Sequence, residues 1–165
     1  MTRDRKDRGN NVYKFVVTED VWIQTSLKDI SFENDWISFE NGIIRLKGTN
    51  KQGYAWDGCS PKKIWLDLVW GTPDGRLDER TELPLTYYAS LFHDAIYQFK
   101  DEIVISRKEA DLLFRQMMKE TGFVWSGMYY FFVRMFGGFY GKWLKKESAP
   151  KVEVKTYSWL EVVAV

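Results

Sequence analysis

The side chains best suited to chemistry are concentrated in one short stretch of this chain. Residues 85–97 read LTYYASLFHDAIY and contain the only histidine, His93, followed at once by Asp94 and then by Tyr97. Their neighbours are apolar or small, and polar side chains that interrupt such a run need a partner, a metal or a reaction. A helix here places His93 and Tyr97 on one face with Asp94 beside it. The stretch therefore predicts a polar site.

A second carboxylate is expected to complete this site. Asp111 lies on the next predicted helix, and a short loop between the two helices would bring it against His93. A general base needs an imidazole held by a carboxylate, whereas a hard cation such as calcium needs carboxylate and carbonyl oxygens. If the protein is an enzyme, His93 is the base and Asp111 and Tyr97 are its catalytic partners. Asp94 is then a metal ligand. The alternative is a buried structural network.

The loop at 57–61, DGCSP, would add further groups if it faces His93. Asp57 is then a metal ligand or an orienting carboxylate. Ser60 or Cys59 is a nucleophile only within hydrogen-bond reach of the imidazole. The alternative is an Asx-turn in which Asp57 caps its own loop, with Cys59 as a small buried thiol.

Arg134 is a charged residue inside the most apolar stretch, residues 128–140. A buried charge among aromatic side chains must be paired. The favoured interpretation is an ion pair with Asp94, Asp111 or Glu109 that locks helices together. The alternative is an anion clamp for a substrate phosphate or carboxylate.

Composition narrows the functional classes. The chain has 165 residues, enough for one domain with a real core. Its 24 basic and 23 acidic residues nearly cancel, so bulk charge predicts no nucleic-acid partner. One cysteine excludes an internal disulfide, and one histidine excludes HExxH proteases and phosphohydrolases that need several metal-binding histidines. No segment is apolar and long enough to predict a transmembrane helix.

The pattern predicts an α+β fold, with an N-terminal antiparallel β meander or hairpin packed on a C-terminal unit of about three helices. Asn41-Gly42 predicts a type I′ hairpin, and Ser106 with Glu109 predicts a capping box. The other predicted strands are 13–17, 21–25, 54–56 and 152–157, and the predicted helices are 85–99, 106–120 and 125–145. Lys145 is expected to be an ordinary surface charge at a helix end. We divide the chain into a flexible arm (1–11), one α+β domain (12–147) and a C-terminal strand and tail (148–165).

Four ordered motifs resemble a known family. They are GYAWDGCSP at 53–61, HDAIY at 93–97, SRKEADLLF at 106–114 and the pattern VR..G at 133–137. Together they resemble the domain-of-unknown-function family 1353 of tailed phages and prophages, over about residues 50–140. The resemblance implies a phage origin and no assigned activity. The positions that match the family motif are Asp57, Ser60, Pro61, His93, Asp94, Tyr97, Asp111 and Arg134. Cys59 stands where that family usually has a small residue, which weakens the cysteine-nucleophile alternative.

The spacing His93-Asp94-x-x-Tyr97 also resembles the active-site helix of secreted phospholipase A2 enzymes. This resemblance implies that His93 activates a water, that Asp94 holds calcium and that Asp111 orients the imidazole. The chain departs from that pattern in lacking the flanking disulfide cysteines and a clear glycine-rich calcium loop.

Three functions follow as hypotheses. The leading one is a phage-encoded, virion- or assembly-associated protein that retains a hydrolase-like site. It would bind other phage proteins, with an oligomer as one expected form, in the host cytoplasm or in the virion. The second is a small calcium-type, phospholipase-like hydrolase, and the third is a module that binds a host factor or sequesters an anionic ligand through Arg134. A catalytic cluster should line an open pocket, whereas a structural one should bury His93 beneath Arg134.

Overall fold

The computed structural model describes residues 15–50, 53–56, 76–136, 142–146 and 152–161. The N-terminal half contains the antiparallel strands β1 (Phe15–Val17), β2 (Val21–Thr25), β3 (Phe32–Glu33), β4 (Ile37–Glu40), β5 (Ile43–Leu46) and β6 (Tyr54–Trp56). The helices α1 (Tyr87–Gln98), α2 (Arg107–Glu120) and α3 (Ser126–Phe136) follow, and the chain continues through strand β7 (Val154–Tyr157) into the short helix α4 (Ser158–Glu161). The predicted α+β class is confirmed.

The β4–β5 hairpin forms as its turn sequence predicts. Ile37 pairs with Leu46 in an antiparallel register. Asn41 and Gly42 both have positive φ, 51° and 82°, as the two central residues of a type I′ turn require. The Gly42 carbonyl accepts hydrogen bonds from the backbone N–H of Thr25 at 2.7 Å and from its hydroxyl at 2.9 Å. The turn is therefore tied to the neighbouring strand β2.

The main sheet has the strand order β3-β4-β5-β2-β7, and a separate pair joins β1 to β6. Its inward positions carry branched and aromatic side chains that are fully or almost fully buried, among them Ile23, Ile37, Phe39, Ile44 and Leu46. Strand β7 pairs antiparallel with β2, with Tyr157 opposite Ile23. The sequence predicts this last strand, but its place in the sheet was not predicted.

Helix α2 begins and ends where its sequence predicts. The Ser106 hydroxyl accepts from the Glu109 backbone N–H at 3.2 Å, and the Glu109 carboxylate accepts from the Ser106 N–H at 2.7 Å. This reciprocal pair is the predicted capping box. Gly122, with φ of 74°, follows the helix in the left-handed conformation. Helix α2 packs against both α1 and α3, so it is the middle element of the helical unit.

The third helix is shorter than predicted. It ends at Phe136, and residues 142–146 are not helical, whereas the prediction extended the helix to Lys145. Residues 137–141 of the predicted helix lie outside the described residues; their sequence contains three glycines, each of which costs about 1 kcal/mol of helix propensity relative to alanine. Lys145 pairs with Glu109 instead, with Nζ 2.7 Å from Oε1, and the Glu109 side chain is only 3% exposed. The expectation that Lys145 is an ordinary surface charge was therefore wrong.

The C-terminal segment returns to the first helix. Helix α4 was not predicted, and its Trp159 stacks on Tyr88 of α1 with ring centroids 3.7 Å apart and planes 9° from parallel. Strand β7 and helix α4 thus attach residues 154–161 to the main sheet and to α1. None of the helices within the described ranges is long and apolar enough to cross a membrane.

Candidate functional site

The centre of the predicted site is the carboxylate of Asp111 on α2. Its Oδ1 lies 3.0 Å from Nε2 of His93 and accepts a 2.6 Å hydrogen bond from the Tyr97 hydroxyl. Its Oδ2 accepts a 3.1 Å hydrogen bond from Nη1 of Arg134. The predicted hydrogen bond between His93 and a carboxylate is confirmed. The Arg134 ion pair, the favoured interpretation of that residue, is confirmed with Asp111 as its partner.

The helices dictate this arrangement. His93 and Tyr97 lie four residues apart on α1, so both side chains project from the same face. Asp111 projects from α2, and Arg134 reaches it from the last turn of α3. Arg107 reinforces the contact between α2 and α3 by donating from Nη2 to the Arg134 carbonyl at 3.2 Å. One carboxylate therefore joins three helices.

The environment of Asp111 favours its ionised form. The side chain is fully buried, and burial by itself would raise the pKa of the carboxyl group. The hydrogen bond and charge of His93, with the hydrogen bonds from Tyr97 and Arg134, outweigh burial and hold the pKa of Asp111 below its usual value. Because an ionised carboxylate only accepts hydrogen bonds, Nε2 of His93 must be the donor in its hydrogen bond with Asp111.

Tyr97 acts as a neutral donor in this cluster. Burial raises the pKa of its hydroxyl far above the usual tyrosine value, and the negative charge and hydrogen bond of Asp111 raise it further. A phenol held in this way donates a strong, charge-assisted hydrogen bond to the carboxylate. It contributes orientation and charge stabilisation to Asp111, and it stays protonated at neutral pH.

The imidazole of His93 is enclosed by aromatic rings. Its centroid lies 4.3 Å from that of Tyr97 and 4.5 Å from that of Phe114, and the residue is 9% exposed. Of its two ring nitrogens, only Nε2 has a hydrogen-bond partner in the part of the chain that the structure describes. In the neutral form of the imidazole the proton at Nε2 faces Asp111, and the lone pair is then at Nδ1. The ring can therefore accept a proton at Nδ1 if a reactant reaches it.

Two aromatic residues of the site were not predicted from the sequence. Phe114 follows Asp111 by three residues on α2, so helical spacing identifies it only after Asp111 has been placed. Trp143 packs edge-on against Tyr97 with centroids 4.8 Å apart, and its buried indole Nε1 has no hydrogen-bond partner among the residues that the structure describes. Nothing in the local sequence indicates that residues 142–146 return to this cluster.

Strand β6 ends beside the same helix. The indole N–H of Trp56 donates to the Ser90 hydroxyl at 3.2 Å, and that hydroxyl donates to the Tyr87 carbonyl at 2.9 Å. Ser90 precedes His93 by three residues on α1. The last residue of β6 is thus held one helical turn from the imidazole.

The metal and nucleophile assignments stay predictions. Asp94 is half-buried on α1. Within the described residues there is no group of three histidine, cysteine, aspartate or glutamate side chains that could hold a metal ion. The predicted ligand Asp57 and the predicted nucleophile Ser60 lie outside the described residues.

Comparison with known proteins adds no relative to this picture. No protein-family model, no curated protein and no solved structure matches the chain. The resemblances found in the sequence therefore remain predictions.

Proposed function

We propose that the chain is a phage-encoded, assembly-associated protein in which the cluster of His93, Tyr97, Asp111 and Arg134 holds the helical unit together. The supporting observation is that donors from α1 and α3 occupy both oxygens of a fully buried Asp111 carboxylate. Such a charge is tolerated only when it is fully paired. The four sequence motifs are the observations that support a phage origin.

The burial of His93 supports the same proposal. A histidine that processes a substrate must be reached by it, yet this residue is 9% exposed and packs against two rings. Arg134 binds the second oxygen of Asp111, so both oxygens of this carboxylate are paired within the protein, as expected of a structural network. That contact also gives Arg134 a structural partner, in place of the substrate anion of the clamp hypothesis.

A surface for partner proteins supports the assembly role. Val124, Trp125, Phe131 and Met135 each expose half or more of their area, and all four lie on α3 or directly before it. Exposed apolar patches of this kind mark sites of protein–protein interaction. The partners in the proposed role are proteins of the same phage, and these include further copies of this chain.

The second candidate is a small hydrolase, and the orientation of His93 favours it. Asp111 holds Nε2 and leaves Nδ1 as the proton acceptor, which is the arrangement that a general base needs. In this candidate Nδ1 takes a proton from a water that attacks an ester or lipid carbonyl, and Asp111 stabilises the resulting imidazolium. As the acyl–oxygen bond breaks, the imidazolium returns that proton to the alkoxide, which leaves as the alcohol. Calcium at Asp94 is the further element that the phospholipase resemblance implies.

Replacement of His93 separates the two candidates. The full chain and its His93→Asn variant are assayed for hydrolysis of p-nitrophenyl butyrate and of phosphatidylcholine vesicles, with and without calcium, and both are melted. The structural role predicts no hydrolysis by either protein. It also predicts that the free energy of unfolding of the variant is about 2 kcal/mol lower, which corresponds to a fall of about 4–8 °C in Tm, because a buried hydrogen bond and ring contacts disappear.

The control is Asp101→Asn, an equally small change at an exposed position just beyond α1, which should melt like the wild type. Hydrolysis by the wild type, together with a stable but inactive His93→Asn variant, would overturn the structural proposal in favour of the hydrolase. An inactive wild type with an unaltered melt of the variant would contradict both candidates.

A further inference from the structure

We propose that the outer face of α3 pairs with the same face of a second copy of this chain, as two antiparallel helices about a twofold axis. This inference rests on the assembly role proposed above and names the partner. We define the α3 face as Val124, Gly127, Phe131 and Met135. Their spacing of three and four residues places them along one side of the helix and its leading turn.

The α3 face is apolar and open. Val124 is 81% exposed, and Phe131 and Met135 are each 57% exposed. The opposite side of the helix, represented by Tyr129, is buried against the rest of the protein. A helix that buries one side and leaves a second apolar side exposed has surface available for another protein.

Gly127 lies in the middle of this face, and nothing in the described part of the chain requires a glycine there. A Cβ atom built at Gly127 meets no atom of the described residues within 4 Å, and the residue lies in the first turn of α3. Glycine costs up to about 1 kcal/mol in a helix relative to alanine, so packing within the chain would favour a larger residue. Close approach of another helix is a reason to keep the position bare.

The order of residues along the face fits a second copy. In an antiparallel pair centred at the level of Tyr129, Phe131 of each copy lies at the level of Gly127 of the other. At the same centre, Val124 lies near the level of Met135. A ring therefore meets a bare backbone twice, and each contact is repeated by the twofold axis, as an isologous interface requires. A partner of different sequence would need to reproduce this complementarity independently.

Charge also permits self-pairing. Residues 124–136 contain one charged side chain, Arg134, which is directed to Asp111. Two copies of the α3 face therefore bring no like charges together. A charged partner would find no complementary charge on this face, whereas a second copy brings no charge that must be desolvated.

The available area predicts a weak, concentration-dependent dimer. The three side chains of the face, at 57–81% exposure, present on the order of 350–400 Å² of apolar surface in each copy. Two copies would then bury on the order of 700–800 Å², which is below the area of standard specific interfaces and is typical of weak ones. Association in the micromolar range is the expected result.

Sedimentation equilibrium of the full chain from about 1 to 200 µM tests the proposal. The wild type should shift from monomer to dimer across this range, and Phe131→Glu should remain monomeric with an unchanged melt, since its side chain is exposed. Val104→Glu is the matched control, because Val104 is also 57% exposed but lies outside the α3 face. It should dimerise like the wild type. A monomeric wild type at every concentration, or a dimeric Phe131→Glu, would overturn the inference.

Cysteine cross-linking tests the antiparallel orientation. In a Cys59→Ser background, Gly127→Cys and Phe131→Cys should each resist oxidation to a covalent dimer, while a mixture of the two should cross-link. Efficient cross-linking of Gly127→Cys with itself would indicate a parallel pair and would refute the proposed geometry, because a disulfide needs Cα atoms within about 7 Å. Neither measurement depends on hydrolysis or on the His93 variant, so failure of the dimer and failure of the structural role are distinguishable.

Discussion

Arg134 on α3 and Asp111 on α2 form an ion pair, with Nη1 3.1 Å from Oδ2. The carboxylate is fully buried, whereas the arginine side chain is 21% exposed, so the arginine closes the cluster on its solvent side. The other oxygen of Asp111 binds α1 through His93 and Tyr97. Loss of any one donor leaves part of a buried negative charge uncompensated, and this predicts large effects from small substitutions.

Arg134→Ala should lower the free energy of unfolding by about 2–3 kcal/mol. Breaking a fully buried ion pair costs about 3–5 kcal/mol, and the partial exposure of Arg134 reduces that figure through solvent screening. Urea denaturation provides the measurement. The exposed Arg45→Ala variant is the control and should change stability by less than about 0.5 kcal/mol. Equal effects of the two substitutions would contradict a structural role for the ion pair.

Tyr97→Phe removes one donor to Asp111 and keeps the aromatic ring. A hydrogen bond to a charged group contributes about 1.5–3 kcal/mol, so the variant should lose stability in that range. Tyr130→Phe is the control. Its half-exposed ring lies 5.1 Å from the Arg115 guanidinium, and loss of its hydroxyl should have little effect. A double-mutant cycle should give a smaller cost of Tyr97→Phe in an Asp111→Asn background. Additive effects would show that the two groups do not interact.

The stability that Asp111 provides should disappear in acid. Its pKa in the folded protein lies below the ordinary aspartate value of 3.8, because its donors outweigh burial. A depressed folded-state pKa contributes stability that is present above the unfolded-state pKa and is lost as pH falls through the folded-state pKa. The stability difference between wild type and Asp111→Asn should therefore be largest near neutral pH and should shrink below about pH 4. A difference that stays constant from pH 7 to pH 3 would argue against the ionised carboxylate.

Local signals predicted the parts of the fold that depend on neighbouring residues. The type I′ turn requires positive φ at Asn41 and Gly42, and the capping box joins Ser106 to Glu109 across three residues. Helical spacing likewise placed His93 and Tyr97 on one face. The contact of His93 with Asp111 could be predicted from the sequence because only a short loop separates their helices.

The contacts that were missed all join distant parts of the chain. Strand β7 lies beside β2, Trp159 stacks on Tyr88, and Lys145 returns to Glu109. These partners are set by the shape of the assembled core, and no spacing rule in the sequence encodes them. The burial of His93 was one of two alternatives that the sequence left open, because it depends on packing against Phe114 from a second helix.

Two glycines with opposite surroundings provide the last prediction. Gly42→Ala should destabilise the protein by about 2 kcal/mol or more. At φ of 82° an alanine is strained by about 1–2 kcal/mol, and its Cβ would lie 2.6 Å from the Thr25 carbonyl oxygen, closer than such contacts allow. Gly127→Ala is the matched control, because its Cβ would enter open space on a helix, and it should stabilise the monomer by about 0.5–1 kcal/mol. Urea melts at about 1 µM, below the expected range of dimerisation, keep the two effects separate. A Gly42→Ala variant as stable as the wild type would contradict the tight β4–β5 turn and its close approach to β2.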